Sequence, residues 1–149
     1  MSAAPGTAVF TYGSLMIPAV MEAVTGQRFE HEPARLLGFA RYALRGETYP
    51  GLVEEPAAAT DGILWRPIDA ASVDRLDDFE GEWYERRNVI VETETGGESA
   101  AFTYVLHPDQ HHRVSRRSWS RSRFESRYLQ GFLSRYRGFA TASDRETST

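Results

Sequence analysis

The chain has 149 residues and a net charge of −4, and all 17 of its basic residues are arginine. With 41% hydrophobic and 12% aromatic residues, it suits one globular domain burying about two-thirds of its unfolded surface. The lack of cysteine excludes disulfides, thiolate–metal sites and cysteine nucleophiles. No apolar run approaches the roughly 20 residues that span a bilayer. Met1–Thr7 has neither the charged region nor the apolar core of a signal peptide, so a cytoplasmic location is expected.

Taken in chain order, residues 1–6 read as a frayed leader. Ala8 to Tyr12 is a short β-prone run that stops in the turn residues Gly13-Ser14. Pro18 suits the first turn of a helix through about Val24, closed by Gly26. Ala34 to Leu44 is strand-like, with a bulge or close backbone approach at Gly38. Tyr49-Pro50-Gly51-Leu52 turns into another extended piece, followed by a loop over 54–60 and a strand over 61–68. Asp69 then caps a short helix that Gly81 ends. Arg87 to Glu94 alternates as a strand, Gly96-Gly97 makes a hairpin turn, and Ala100 to Leu106 pairs back until His107-Pro108. The last element is a helix from about Ser118 to Tyr136, with Phe124, Tyr128, Leu129, Phe132, Leu133 and Tyr136 near helical spacing. The expected architecture is therefore a single α+β domain over 1–139, with about six strands in a mostly antiparallel or mixed sheet. Residues 140–149 are expected to be a disordered tail.

Charge is split along the chain. Residues 1–110 hold 8 arginines against 18 acids, and residues 111–149 hold 9 against 3. Such a segment can be a basic arm for nucleic acid. Here it lacks glycine- or lysine-rich character, and its aromatics fall at core spacing. An arginine-rich helix packed across an acidic body is the simpler reading, and neither nucleic acid nor membrane is expected as a partner.

Three groups of residues could carry chemistry. On the helix begun at Asp69, Val73, Leu76 and Glu80 fall on one stripe. An inward carboxyl must be satisfied or have its pKa raised, which is how a general base is made. Position alone favours the other reading, in which Glu80 lies in solvent at a fraying helix end. The turn Tyr12-Gly13-Ser14-Leu15 could present several amide hydrogens to a carboxylate or oxyanion, or be a plain strand–turn. Ser14 has no Gly-x-Ser-x-Gly elbow and no legible His–Asp partner, so it is not read as a nucleophile. His107, His111 and His112, with Asp109 among them, invite a metal, but Pro108 breaks the spacing; a solvated loop and no metal are expected. Tyr84 could hydrogen-bond a substrate or merely pack, and Arg45, Arg86 and Arg87 are candidates for meeting substrate charge.

Together, Tyr12-Gly13-Ser14-Leu15, Tyr49-Pro50-Gly51-Leu52, Gly62-x-Leu64-x-x-x-Ile68 and Leu76-Asp77-Asp78-Phe79-Glu80-Gly81-x-x-Tyr84-x-Arg86 form a pattern. In order and spacing it resembles the gamma-glutamylcyclotransferase-like family, in its branch of small bacterial and plant stress-induced homologues, from about Val9 to Tyr136. The resemblance implies a small mixed β-barrel with flanking helices and one cavity. It implies an acyltransferase-type enzyme, without cofactor, that makes a small-molecule γ-glutamyl amide cyclise to 5-oxoproline and release an amine or amino acid. The family's catalytic glutamate maps onto Glu80, and its substrate-binding loop onto Tyr12, Gly13, Ser14 and Leu15, with Tyr84 beside them. A non-catalytic module that binds a small carboxylate on the same barrel is the alternative. The leaving group and the oligomeric state stay open.

Overall fold

Val9, Phe10 and Thr11 are all buried and form β1 (Val9–Thr11) of a closed barrel in the computed structural model, which describes residues 7–135. Successive strand residues face opposite ways. Phe10 therefore joins Leu36, Leu52, Leu64, Val91 and Val105 in one cluster, while Val9 joins Trp65 and the helices in another. The remaining strands are β2 (His31–Ala43), β3 (Pro50–Trp65), β4 (Tyr84–Thr93) and β5 (Glu98–Leu106). Their order around the barrel is β1-β3-β2-β4-β5. The ladders are antiparallel except β1 with β5, where Val9 pairs in parallel with Phe102. Closure removes the free sheet edge that would otherwise template aggregation.

The barrel has five strands rather than about six, because no loop separates the pieces expected before and after residues 54–60. β3 runs on from Pro50 to Trp65, with Leu37 of β2 opposite Ala59 and Phe39 opposite Glu54. Residues 55–58 stand opposite Gly38, whose φ of 86° makes the expected irregularity. Pro56 and the alanines after it look like a loop in isolation; pairing with β2 overrides that preference. β4 also starts earlier than expected, at Tyr84.

Helix α1 (Pro18–Thr25) ends on Gly26 in the left-handed conformation, and α2 (Ala70–Glu80) begins at Asp69, whose carboxylate accepts from the Ser72 amide. Both match the capping residues read from the sequence. The expected long helix is interrupted. α3 (Arg121–Arg127) stops at Tyr128, with φ −123°, and residues 129–135 are helical beyond it. Phe124 and Leu133 are buried, so this segment packs on the outer core; the Arg121–Glu125 pair lies outside. The leader 1–6, Tyr136 and the expected disordered tail lie outside the described residues. Among the described residues no helix is long and apolar enough to cross a membrane.

One close approach fixes β1 against β3. A Cβ on Gly62 would run into the Thr11 carbonyl oxygen and sit 2.6 Å from Phe10 Cζ. Gly62→Ala should therefore destabilise the protein by about 2–3 kcal/mol through overpacking. A urea unfolding midpoint equal to wild type would show that this wall of the barrel is slack.

Candidate active site

β1 delivers the chain into a cavity of about 330 Å³. Tyr12 follows the strand, and its hydroxyl donates to the Tyr104 carbonyl at 2.6 Å. Gly13 comes next, with φ −124° and ψ −140°, close enough to Pro50 that a Cβ would meet the proline Cδ at 3.0 Å. Ser14–Met16 then forms a single 3-10 turn, held by the Met16 amide donating to Gly13 O and the Ile17 amide to Ser14 O. The first amides of such a turn have no acceptor within it, and among the described residues no side chain caps it. Arg41 braces the turn from behind, donating to Tyr12 O at 2.9 Å and Asp61 O at 3.0 Å.

α2 brings Glu80 to the same cavity. Leu76, fully buried, anchors the helix; Glu80 is one turn further along, and Gly81 (φ 75°) ends the helix there. Glu80 is half-buried and lines the cavity. Four tyrosines feel its charge: Tyr12, Tyr49, Tyr84 and Tyr104. Three of their hydroxyl protons are committed elsewhere. Tyr12 donates to Tyr104 O, Tyr84 to Pro50 O at 2.7 Å, and Tyr104 to Asp77 Oδ1 at 2.6 Å. Among the described residues lining the cavity the charged groups are Glu80 and Glu82, with no arginine, lysine or histidine. Burial without a donor therefore pushes the Glu80 carboxyl up from 4.5 to about 8. Burial, with Tyr84 and Glu80 nearby, likewise keeps the Tyr12 phenol protonated.

Every site residue expected from the sequence lines this one cavity: Glu80, Tyr12, Gly13, Ser14, Leu15 and Tyr84. Tyr84 offers it only a hydroxyl oxygen, since its proton serves Pro50 O. The three candidate arginines do not reach it. Arg86 pairs with Asp77 at 2.9 Å, Arg87 with Glu54 at 2.8 Å, and Arg45 lines a separate concavity. Sequence reasoning missed Arg41, Tyr104 and Asp77. Asp77 had a signal, lying three residues before Glu80 on the same helix; Tyr104 and Arg41, each on a strand, had none. His107 accepts from the Asp109 amide, and among the described residues no three metal-binding side chains come together.

Other proteins share this sequence and fold. Residues 9–121 match the family model "Gamma-glutamyl cyclotransferase, AIG2-like". Protein AIG2 C of Arabidopsis thaliana is 33% identical over 98 residues, which are 65% of this chain and 59% of that protein. The chain thus spans less than two-thirds of the length of that relative. A solution structure from Arabidopsis thaliana superposes with a TM-score of 0.69 at 25% identity, covering 99% of this chain and 90% of that one. A structure described as "Gamma-glutamyl cyclotransferase" gives a TM-score of 0.58 at 20% identity over 68% of this chain and 66% of that one, a likeness of fold.

The raised Glu80 value has a measurable sign. The fold prefers the protonated carboxyl, so its contribution is fully present below the unfolded value near 4.5 and is lost as pH rises through about 8. Glu80→Gln cannot ionise. Relative to wild type it should gain stability across that window, reaching roughly 5 kcal/mol above it. Thermal melts of both proteins from about pH 5 to pH 9 read the difference; a gap independent of pH would place this carboxyl in ordinary solvent.

Proposed function

The chain belongs to the AIG2-like gamma-glutamyl cyclotransferase family, and from that premise we propose that it converts a γ-glutamyl amide to 5-oxoproline and a free amine. The observation that carries this reading is a carboxyl of raised pKa in a cavity shared with the Tyr12–Leu15 turn. The substrate brings its own nucleophile, the α-amine, so the protein has only to hold a productive rotamer and manage one proton. Positioning of this kind supplies up to roughly 7–11 kcal/mol in favourable cases.

In this mechanism ionised Glu80 takes one proton from the substrate's α-ammonium, and the amine so freed attacks the γ-carbonyl carbon and closes a five-membered ring. The carbonyl oxygen becomes an oxyanion, which the amides of the 3-10 turn stabilise by donating to it. The intermediate collapses with cleavage of the bond to the original amide nitrogen, which accepts the proton held by Glu80. The restored carboxylate takes the second proton from the ring nitrogen and passes it to the released amine. The products are 5-oxoproline and the amine, and no water is consumed. Proton transfer by a positioned carboxylate contributes about 10²–10⁴-fold.

The cavity wall has a chemical bias. Phe79, Phe124 and Phe132 are part of it, together with Glu82. A leaving group with its own carboxylate would be desolvated there beside two glutamates, without a described cation to meet it. An apolar amine suits the wall better than an amino acid.

The decisive measurement is 5-oxoproline release from a panel of γ-glutamyl amides. Wild type should form it, and Glu80→Gln should lose about 10²–10⁴-fold in kcat. A panel that yields none, with 5-oxoproline binding tightly but not being made, would instead support a binding module. Because the base must be ionised, kcat/KM should fall as pH drops through about 8. The same limb in kcat should lie lower, since a bound ammonium favours the carboxylate. A γ-glutamyl derivative of an apolar amine should exceed γ-glutamylalanine in kcat/KM by about tenfold or more.

A further inference from the structure

A second concavity, of about 460 Å³, shares no lining residue with the Glu80 cavity. One side is the end of the β2–β3 hairpin, and the other is the segment from His111 to Arg116. That segment is fastened to β2 like a short extra strand. The Arg45 amide donates to Arg113 O at 2.8 Å, the Ser115 amide to Ala43 O at 3.0 Å, and the Ala43 amide to Arg117 O at 2.7 Å. Leu44 bridges Val114 between them, and the Ser115 hydroxyl adds a bond to Ala43 O at 2.7 Å.

Within this rigid frame Arg116 has φ 67°, and among the described residues it is the only non-glycine at positive φ. A side chain with a Cβ disfavours that conformation, and glycine would take it freely. Ser115 and Arg117, each bonded to Ala43, hold Arg116 in place and leave its guanidinium on the concavity wall near Tyr42. Strain kept by surrounding bonds is a feature of functional positions.

The charges around this space are unequal. Arg45, Arg116, His111 and His112 line it, and their side chains make no hydrogen bond or ion pair among the described residues. Of the two acids there, Glu54 is held by Arg87 at 2.8 Å, and Glu55 accepts the Tyr42 hydroxyl at 2.6 Å. Arg87 offsets Glu54, so two guanidiniums face one uncompensated carboxylate before either imidazole is counted. Guanidinium forks and imidazole N–H groups with no protein acceptor match the oxygens of a compact dianion.

We propose that this concavity binds a small doubly charged oxyanion, a phosphate or phosphate monoester, through Arg45 and Arg116 with His111 and His112 as further donors. The concavity is open to solvent and roomy enough for a small solute. The proposal is independent of the Glu80 chemistry and is tested without it. Inorganic phosphate titrated into the full chain, followed by amide NMR shifts, should saturate and move signals within 42–55 and 111–116. Arg45→Gln and Arg116→Gln should each weaken binding by about tenfold. Arg116→Gly removes the cation and relieves the positive φ, so binding should weaken while the unfolding temperature holds or rises. That variant separates loss of binding from loss of folding. The proposal is overturned by an absence of saturation up to about 10 mM phosphate, or by phosphate binding that survives Arg45→Gln/Arg116→Gly. It is equally overturned if the protein sediments with anionic phospholipid vesicles but ignores free phosphate, since the face would then belong to a lipid surface.

Discussion

Glu80 ends α2 facing tyrosine rings whose hydroxyl protons go to Tyr104 O, Pro50 O and Asp77. Each of those bonds acts twice. It satisfies a buried phenol, and it withholds from Glu80 a donor that would have stabilised its charge. An ordinary core would answer a half-buried carboxyl with an arginine, and this chain has 17. Those nearest in sequence are turned away: Arg86 to Asp77 and Arg87 to Glu54. The cavity is thus largely aromatic and poor in free donors, and burial there raises the Glu80 carboxyl with nothing described to offset it.

The barrel turns this shortage into a fixed geometry. β1 is only three residues long, but it closes the sheet between β3 and β5. Its exit sets where the 13–15 amides point. The Phe10 ring and the Thr11 carbonyl press on Gly62 of β3, and the Trp65 indole donates to Thr11 Oγ1 at 2.8 Å. Tyr84 at the start of β4 and Pro50 at the start of β3 are tied by one hydrogen bond. The turn and the end of α2 are therefore both held against the barrel, where they line one cavity.

Much of this was legible in the sequence where one residue acts locally. Asp69 and Gly81 bound α2, Pro18 and Gly26 bound α1, and Gly38 marks the break in β2, because capping and positive φ depend on the residue itself. Legibility failed where a distant partner decides. The stretch over 54–60 carries Pro56 and three alanines, and only the facing residues of β2 make it a strand. The helix over 118–136 has an unbroken apolar pattern but is interrupted at Tyr128. For Glu80, spacing could not choose between core and solvent. The choice depends on Tyr104 and Pro50, which no local pattern connects to it. The split of charge along the chain had a local answer: in α3 Phe124 is buried while Arg123 and Arg127 are exposed.

Among the described residues the cavity offers Glu80 no cation of its own, and the proposed γ-glutamyl substrate would bring one in its α-ammonium. Opposite charges in a site with little water attract strongly, so binding and ionisation of Glu80 support each other. The same attraction makes the carboxylate a weaker base once the ammonium is bound. The two requirements are reconciled because the proton moves between partners that start charged and finish neutral. The transfer removes a buried ion pair rather than creating a buried charge, and desolvation opposes it less than it would oppose charge separation. A permanent arginine beside Glu80 would have lowered the carboxyl, competed with the ammonium and remained charged throughout. A cavity wall whose described residues include no arginine is therefore as much a part of the proposed chemistry as Glu80 itself.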